Sequence, residues 1–249
     1  YRRDDGYHEI NTLMQQIDLG DRIKIKNKKK GIEIHCNDEG VPLDNTNLVY
    51  KAWEKIVEKT GVNKGAQIVI DKNIPVAAGL AGGSSNAAAV LKGLNLLWDL
   101  KLTKEELMEI GLEIGADIPF CLLGGTAWAK GIGEKLTKLK DFSNKMILLA
   151  NIGIPVSTAS VYNKLNLNDI NNRIDIEKII AYMEEDNLFK LGQNMTNVME
   201  RVVIEKYPII GKVKKDMIRY GALGSIMSGS GPTVFGLFDD EDKLFNCKD

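Results

Sequence analysis

The sequence has few cysteines and histidines, three and two in 249 residues. Cys36, Cys121 and Cys247 are odd in number and far apart, and they form neither a Cys-x-x-Cys pair nor a mixed Cys/His cluster. Neither a disulfide framework nor a zinc site is therefore indicated. Free thiols are usual in a reducing compartment, which predicts a cytoplasmic protein.

An excess of charge of either sign is also lacking. Lys and Arg total 33 and Asp and Glu total 34, so the formal net charge is -1. This balance gives no general attraction to nucleic acid or to an anionic membrane surface, and neither is expected as a partner. The one basic run, Lys28–Lys30, lies between Asn27 and Gly31 and is typical of a solvated hairpin turn.

Long apolar runs are missing as well. No run approaches the ~20 residues that a membrane-spanning helix needs. The first residues, YRRDDGYHEI, do not have the pattern of a signal peptide. No pattern in the sequence predicts an oligomeric state.

Strands and helices are predicted along the chain without a strict β-α-β alternation, which favours an α+β fold. Strands are predicted at 21–26, 31–36, 66–71, 121–136 (with a glycine-rich turn), 146–152, 223–228 and 233–238, and helices at 47–61, 84–98, 103–115, 158–165, 175–184, 194–205 and 208–220. The polar segment at 141–145 predicts a junction between two domains, 1–143 and 144–249.

A glycine-rich loop precedes the helix predicted at 84–98. Gly79, Gly82 and Gly83 lie in the stretch PVAAGLAGGSSNAA. Glycine lets a ligand approach the backbone, and free N–H groups at a helix N-terminus favour an anion such as phosphate. Ser84 and Ser85 could cap the helix or touch a phosphate or its metal. The loop matches neither GxxxxGK[ST] nor GxGxxG, so a flexible turn before a core helix stays an alternative.

Three further stretches carry residues suited to chemistry. Asp117 lies in GADIPF after a predicted helix end, Gly229–Gly231 lie in SGSGPTVFG between two strands, and Tyr7 and His8 lie in DGYHEI. Each also has an ordinary explanation: a cap or turn residue, a plain hairpin, and the surface of an edge strand.

Together and in this order, the motifs resemble those of the GHMP kinases. PVAAGLAGGSSNAA resembles the phosphate-binding motif of that family, and SGSGPTVFG resembles its third motif. DGYHEI, GADIPF, GTAWAKGIGEKL and PVSTASVYNKL are similar to a branch of the family that phosphorylates a cytidyl-diphosphate alcohol. The resemblance runs from Asp5 to about Phe238. It implies a two-domain GHMP kinase fold, with an N-terminal half like domain 2 of ribosomal protein S5, a ferredoxin-like C-terminal half, and the site between them.

The resemblance implies transfer of the ATP γ-phosphoryl group to the 2-hydroxyl of a cytidyl-diphosphate methylerythritol, with Asp117 as general base. It places at the nucleotide Pro75, Val76, Ala77, Ala78, Gly79, Leu80, Ala81, Gly82, Gly83, Ser84 and Ser85, and, near the adenine, Asn47, Leu48 and Lys72. It places at the small-molecule acceptor Tyr7, His8, Thr158, Tyr162, Gly229, Ser230 and Gly231. Mg²⁺ is expected with ATP. Its protein ligand is not evident, with Ser85 as a candidate.

The chain departs from the family pattern at two points. Ala81 replaces a glycine common in the loop. The family's first motif, an Ala-Lys-Ile-Asn-like strand with the catalytic lysine, is expected upstream of Tyr1, so we expect the natural protein to extend by at least one strand, about 5–6 residues or more. Two alternatives stay open: a GHMP kinase for another small alcohol, and a non-catalytic nucleotide-binding sensor on the same scaffold.

Overall fold

The computed structural model describes residues 8–165 and 175–248, which fold into two compact units. Among the described residues, the first unit comprises 8–76 and 81–139, and the second comprises 77–80, 140–165 and 175–248. The middle of the glycine loop thus belongs to the second unit, while both of its ends belong to the first. The domain limits 1–143 and 144–249 remain a prediction.

The first unit combines strands and helices. Its elements are β1 (Ile10–Gln15), β2 (Arg22–Lys28), β3 (Ile32–Cys36), α1 (Leu48–Thr60), β4 (Gly65–Asp71), α2 (Gly82–Trp98), α3 (Lys104–Ile114), α4 (Ile118–Leu123), β5 (Thr126–Gly131) and β6 (Lys135–Lys138). Antiparallel pairing gives one sheet with the strand order β1-β5-β6. The other sheet has the order β2-β4-β3, with β2 antiparallel and β3 parallel to β4.

The prediction of a hairpin at Lys28–Lys30 is wrong, because β4 lies between β2 and β3. Ile68 of β4 is fully buried and lies opposite both Ile25 of β2 and Ile34 of β3. The most apolar strand therefore takes the centre of the sheet. Parallel pairing of β3 and β4 requires a crossover, which α1 supplies.

The core of the first unit lies between this mixed sheet and its helices. Helix α2 contributes the predicted stripe Ala87, Leu91, Leu94 and Trp98, all of them buried. Helix α1 ends at Gly61, which has the left-handed φ of 66°, as its sequence predicts. Helix α3 opens with the predicted capping box of Thr103 and Glu106.

The second unit contains one antiparallel sheet with several short helices. Its elements are β7 (Met146–Ala150), α5 (Thr158–Lys164), α6 (Ile176–Glu184), α7 (Leu188–Asn194), α8 (Glu200–Lys206), α9 (Pro208–Arg219), β8 (Gly224–Met227), β9 (Val234–Phe238) and α10 (Glu241–Lys248). The strand order is β7-β9-β8, so the last strand in sequence is the central one. Ile210, Met217, Val234 and Phe238 form the centre of its core.

Several helices of the structure differ from the sequence prediction. The start of the strand predicted at 121–136 is helical, because α4 begins at Ile118 with Pro119 in its first turn, a position that proline favours. The helix predicted at 194–205 begins only at Glu200, as α8, and α7 at Leu188–Asn194 was not predicted. Helix α10 was not predicted; its sequence, EDKLFNCK, carries only a weak apolar pattern.

Candidate functional site

The glycine loop leaves a run of backbone amides without a protein partner. Within 8–165 and 175–248, no oxygen accepts a hydrogen bond from the N–H groups of residues 79–84. The φ angles of Ala77, Gly79 and Ala81 are left-handed, at 53°, 72° and 52°, while the residues between them keep ordinary φ. Left-handed and ordinary φ therefore alternate along the loop, which is a backbone pattern typical of anion-binding turns.

Three of these amides form the first turn of α2. The helix begins at Gly82 after Ala81, and no side chain caps it. The prediction that Ser84 or Ser85 caps the helix is wrong, because both lie inside its first turn, where the Ser85 hydroxyl donates to the Gly82 carbonyl at 3.0 Å. The uncapped amides and the positive end of the helix dipole therefore leave room for a bound anion.

In the second unit, the middle of the loop is bonded to the glycine-serine turn between β8 and β9. The Thr233 N–H donates to the Ala78 carbonyl at 3.3 Å, and the Ser228 hydroxyl donates to the Gly79 carbonyl at 2.8 Å. In a planar trans peptide the N–H points opposite to the C=O. The N–H groups of Gly79 and Leu80 are therefore turned away from this turn.

Glycine is required at position 79 by this close packing. A Cβ atom there would lie 2.5 Å from the Ser228 carbonyl oxygen and 2.8 Å from that of Gly231. These are backbone atoms and cannot move aside as a flexible side chain would. At Gly229, a Cβ would approach the Gly79 carbonyl oxygen to 3.3 Å. The glycines of the two motifs thus allow the two backbones to touch.

The buried Ser230 connects the same turn to α5. Its hydroxyl lies 2.8 Å from that of Thr158, the exposed first residue of the helix. Tyr162 follows Thr158 by one helical turn and is half-buried. The structure therefore brings Thr158, Tyr162 and the 229–231 turn into one unit. The predicted acceptor residue His8 belongs to the first unit, just before β1, and Tyr7 lies outside the described residues.

Lys72 is part of a buried ion pair in the first unit. Its ammonium lies 2.6 Å from the Asp21 carboxylate, and the two side chains are only 5% and 1% exposed. Burial alone would raise the pKa of Asp21, but hydrogen bonds from Lys72 and from the backbone of Ile74 and Asn73 lower that pKa below its ordinary value. The place of Lys72 near the adenine remains a prediction.

The ion pair lies beside the first turn of α2. A Cβ atom on Gly82 would approach the Lys72 ammonium nitrogen to 3.0 Å and the Ile74 Cγ2 atom also to 3.0 Å. The pair and Ile74 therefore pack directly against the backbone that opens the helix.

Asn47 and Leu48 are joined to the start of α1. The Asn47 carbonyl oxygen accepts from the Val49 N–H at 2.9 Å, and its amide group donates to the Pro42 carbonyl at 2.5 Å. Asn47 is buried and caps the helix. A Cβ atom on Gly83 would touch Leu48 Cδ1 at 3.5 Å, an ordinary contact. Leu48 therefore lies against the first turn of α2.

Asp117 stands at the N-terminus of α4 in the first unit. Its side chain is open to solvent and makes no hydrogen bond or ion pair with the described residues. Surrounding protein still removes part of its hydration, and this desolvation raises the pKa of Asp117 above its ordinary value. A carboxylate with a raised pKa and no partner is suited to accepting a proton.

The neighbouring thiol does not compete for this role. Cys121 follows Asp117 by one turn, and burial together with the Asp117 charge raises the pKa of Cys121 to about 12. The thiol is therefore protonated at neutral pH and is a poor nucleophile.

The turn between β5 and β6 packs against Ala116, the residue before Asp117, which the sequence alone did not reveal. A Cβ atom on Gly133 would lie 3.4 Å from the Ala116 carbonyl oxygen and 3.6 Å from Ile10 Cδ1. Glu134 closes this turn by accepting from the Ile132 N–H at 2.6 Å. Three of the recognised motifs, DGYHEI, GADIPF and GTAWAKGIGEKL, therefore meet within the first unit.

The described part of the chain contains neither a cluster of metal-binding side chains nor a membrane-spanning helix. No group of three or more His, Cys, Asp or Glu side chains there could hold a metal ion. No helix within it is long and apolar enough to cross a membrane.

Models of the GHMP kinase family match both parts of the chain. The GHMP kinases N terminal domain matches residues 47–125, and the GHMP kinases C terminal model matches residues 179–249. A curated relative, the 4-diphosphocytidyl-2-C-methyl-D-erythritol kinase of Clostridium botulinum (strain Kyoto / Type A2), is 50% identical over 248 residues, which is 100% of this chain and 89% of the relative. The enzyme of that name from Alkaliphilus metalliredigens (strain QYMF) is 49% identical over 238 residues, 95% of this chain and 82% of the relative.

Solved structures agree with the family models. A crystal structure of 4-(cytidine 5'-diphospho)-2C-methyl-D-erythritol kinase superposes with a TM-score of 0.82 at 32% identity, covering 99% of this chain and 87% of that one. Homoserine kinase from Cytophaga hutchinsonii has a TM-score of 0.77 at 22% identity, covering 93% and 80%, and shares the fold. The α+β, two-domain GHMP kinase fold that the motifs implied is confirmed. The chain belongs to the GHMP kinase family, as do the 4-diphosphocytidyl-2-C-methyl-D-erythritol kinases that it resembles over its whole length.

Proposed function

We propose that this protein transfers the γ-phosphoryl group of ATP to the 2-hydroxyl of 4-diphosphocytidyl-2-C-methyl-D-erythritol. This reaction is a step of non-mevalonate isoprenoid precursor biosynthesis. Relatives of that name at 49–50% identity support the proposal. We place the reaction in the cytoplasm, which is consistent with three free thiols.

The run of unpaired amides at residues 79–84 is the observation that carries the proposal. Backbone N–H groups and a helix N-terminus stabilise the negative charge of a triphosphate without a lysine or an arginine in the loop. These donors are free to bind phosphate oxygens, because no oxygen of the described protein accepts from them. The preceding loop residues, which come directly before these amides, are Pro75, Val76, Ala77 and Ala78.

Asp117 is the proposed general base. As the acceptor hydroxyl attacks the γ-phosphorus, its proton passes to a carboxylate oxygen of Asp117, a new O–P bond forms, and the bond between the γ-phosphorus and the bridging oxygen of ADP breaks. Because phosphoryl transfer depends mainly on positioning and charge stabilisation, no covalent enzyme intermediate is needed. The raised pKa of Asp117 makes its carboxylate a stronger base than an aspartate with the ordinary pKa.

Mg²⁺ would neutralise charge on the phosphates during the transfer. Such an ion commonly retains water and binds substrate phosphates with only one or two protein oxygens, so a site without a three-residue cluster fits it. The Ser84 and Ser85 hydroxyls, in the first turn of α2, are the proposed protein oxygens.

We propose that Tyr7, His8 and Tyr162 recognise the cytosine of the acceptor, through flat aromatic faces and hydrogen-bonding edges. The paired hydroxyls of Thr158 and Ser230, together with the Gly229–Gly231 backbone, provide further polar contacts for the acceptor. At the adenine, Leu48 supplies an apolar surface. Asn47 acts there through the helix it caps, since both ends of its amide are already bonded to protein. Lys72 supports the same region from its ion pair with Asp21.

An ATP-consumption assay with a panel of alcohols tests this function. The cytidyl-diphosphate acceptor should be phosphorylated, and methylerythritol phosphate, which lacks the cytidyl group, should be a poor acceptor. CDP should compete with the acceptor, because it carries the cytidyl group that the proposed residues recognise. Mass spectrometry of the product should show the added phosphoryl group on the acceptor.

Each other outcome has a definite meaning. Equal turnover of both acceptors would contradict cytidyl recognition and favour a GHMP kinase for another small alcohol. Tight ATP binding with no turnover of any acceptor would contradict the proposed reaction and favour a nucleotide-binding sensor.

A further inference from the structure

The Asn197 side chain makes three hydrogen bonds, all to backbone atoms of the second unit. Its side-chain amide donates to the Met227 carbonyl at 2.8 Å and to the Gly229 carbonyl at 2.7 Å. Its side-chain oxygen accepts from the Met199 N–H at 2.9 Å, just ahead of α8. One half-buried side chain therefore ties the start of α8 to the turn between β8 and β9.

Glu200, the first residue of α8, holds the same turn. The Glu200 carboxylate accepts from the Met227 N–H at 2.6 Å and pairs with the Lys214 ammonium of α9. Met227 is thus fixed through its N–H by Glu200 and through its C=O by Asn197. The last residue of β8 has little freedom to shift.

The turn between β8 and β9 also holds the middle of the glycine loop. Ser228, next to Met227, donates to the Gly79 carbonyl, and Thr233 donates to the Ala78 carbonyl. A continuous series of bonds therefore runs from Asn197 through the turn to the two peptides whose N–H groups, on Gly79 and Leu80, have no partner among the described residues.

We infer that Asn197 is a positioning residue for the nucleotide: it fixes the turn that aims the amides of Gly79 and Leu80 at the phosphates. The inference rests on the proposed function only for the identity of the anion. Asn197 itself belongs to none of the recognised motifs. Its bond to Gly229 supports this role because that glycine is exposed, so the bond adds no buried core and mainly restricts the conformation of the turn.

Asn197→Asp separates positioning from folding. Aspartate keeps the oxygen that accepts from the Met199 N–H, and it forms such a local side-chain turn as readily as asparagine. It replaces the donor with an oxygen that faces the Met227 and Gly229 carbonyls. Asn197→Ser also keeps an oxygen that accepts from the Met199 N–H, but its shorter side chain does not reach the turn between β8 and β9. Asn194→Ala is the matched control, because the Asn194 amide donates only to the Lys190 carbonyl within α7.

Calorimetric titration with ATP and Mg²⁺, with a thermal melt of each variant, gives the readout. We expect the Kd for ATP to rise about tenfold in both Asn197 variants and to stay unchanged in the control, because two net hydrogen bonds to the turn are lost. In the kinase assay, the KM for ATP should rise while kcat at saturating ATP changes by less than about twofold, since the chemical step is untouched.

A lower melting temperature with unchanged ATP affinity would assign Asn197 to the fold alone and overturn the inference. If Asn197→Asp does not fold, Asn197→Ser decides by the same criterion, and failure of both to fold also overturns it. Wild-type protein that binds ATP but phosphorylates no acceptor would contradict the proposed function while leaving the affinity comparison valid. Ser228→Ala combined with Asn197→Ser should weaken ATP binding less than the product of the two single effects, since both act through one series of bonds.

Discussion

The Ser228 hydroxyl donates a 2.8 Å hydrogen bond to the carbonyl of Gly79, 149 residues earlier in the chain. This bond joins the two glycine-rich motifs of the sequence. It also explains why the loop needs glycine at that point, since a Cβ atom on Gly79 would lie 2.5 Å from the Ser228 carbonyl oxygen.

Gly79→Ala should weaken ATP binding by at least about tenfold. The left-handed φ of 72° costs an alanine about 1–2 kcal/mol, and the Cβ would press on two carbonyl oxygens of the turn. The loop must then move, which turns its amides out of position. Calorimetric titration with ATP measures the loss. Gly20→Ala is the control, because a Cβ there meets no atom within 4 Å and its φ is ordinary. Equal affinity of the two variants would contradict this account of the loop.

Ala81→Gly should leave the fold at least as stable. Alanine at position 81 adopts a φ of 52°, and relief of this left-handed strain is worth about 1–2 kcal/mol. Glycine adds freedom to the unfolded chain, which costs roughly 0.5–1 kcal/mol. The free energy of unfolding in urea should therefore stay constant or rise by up to about 1.5 kcal/mol. A loss of more than that amount would show that the alanine methyl group makes a packing contact that outweighs the strain.

Asp117→Asn should lower turnover by roughly 10²–10⁴-fold, the usual contribution of a general base, while ATP affinity is retained. The amide has the same shape as the carboxylate but cannot accept the hydroxyl proton. Steady-state kinetics and calorimetry give the two quantities separately. Near-normal turnover of the variant would remove Asp117 from the mechanism.

The raised pKa of Asp117 sets the sign of two pH effects. Its carboxylate must be ionised to act as a base, so activity should fall as the pH drops through a pKa higher than that of an ordinary aspartate. The folded state holds this proton more tightly than the unfolded state, so ionisation of Asp117 lowers stability as the pH rises through this window. Asp117→Asn should therefore be no less stable than the wild type at neutral pH. An acid limb of the kcat profile at or below the ordinary aspartate pKa would contradict the assignment.

Asp21→Asn should destabilise the first unit by about 3–5 kcal/mol, because it leaves the buried Lys72 ammonium without its counter-charge. The lowered pKa of Asp21 means that its carboxylate stabilises the fold above the unfolded pKa, and that this stability is lost as the pH falls through the lower folded pKa. Urea unfolding at neutral and acidic pH tests both points. Asp239→Asn is the control, since its carboxylate is half-exposed and lies 4.0 Å from Lys243. If both variants change the free energy of unfolding only slightly, the ion pair of Asp21 and Lys72 is not essential for stability.

Local chemistry in the sequence determined most of the elements. Thr103 and Glu106 begin a helix and Gly61 ends one as predicted, because capping depends on a few neighbouring residues. The buried stripe of α2 follows from a period of 3.6 residues. The motifs also identified the GHMP kinase family, since their order along the chain is specific even though each motif alone is not.

Only the tertiary structure decided how these pieces are paired. Alternation of apolar and polar residues predicts a strand but not its neighbours in a sheet. A hairpin of β2 and β3 was therefore predicted, whereas in the structure β4 lies between them. Helix α2 begins at Gly82, two residues before the predicted start. Ser84 and Ser85 therefore lie inside the helix, and its first amides have no side-chain cap. The roles of Asn197, Asp21 and Gly133 depend on contacts with residues distant in sequence, and no local pattern records such contacts. The sequence thus specified the elements and the family, whereas long-range packing decided which backbone groups remain free to bind.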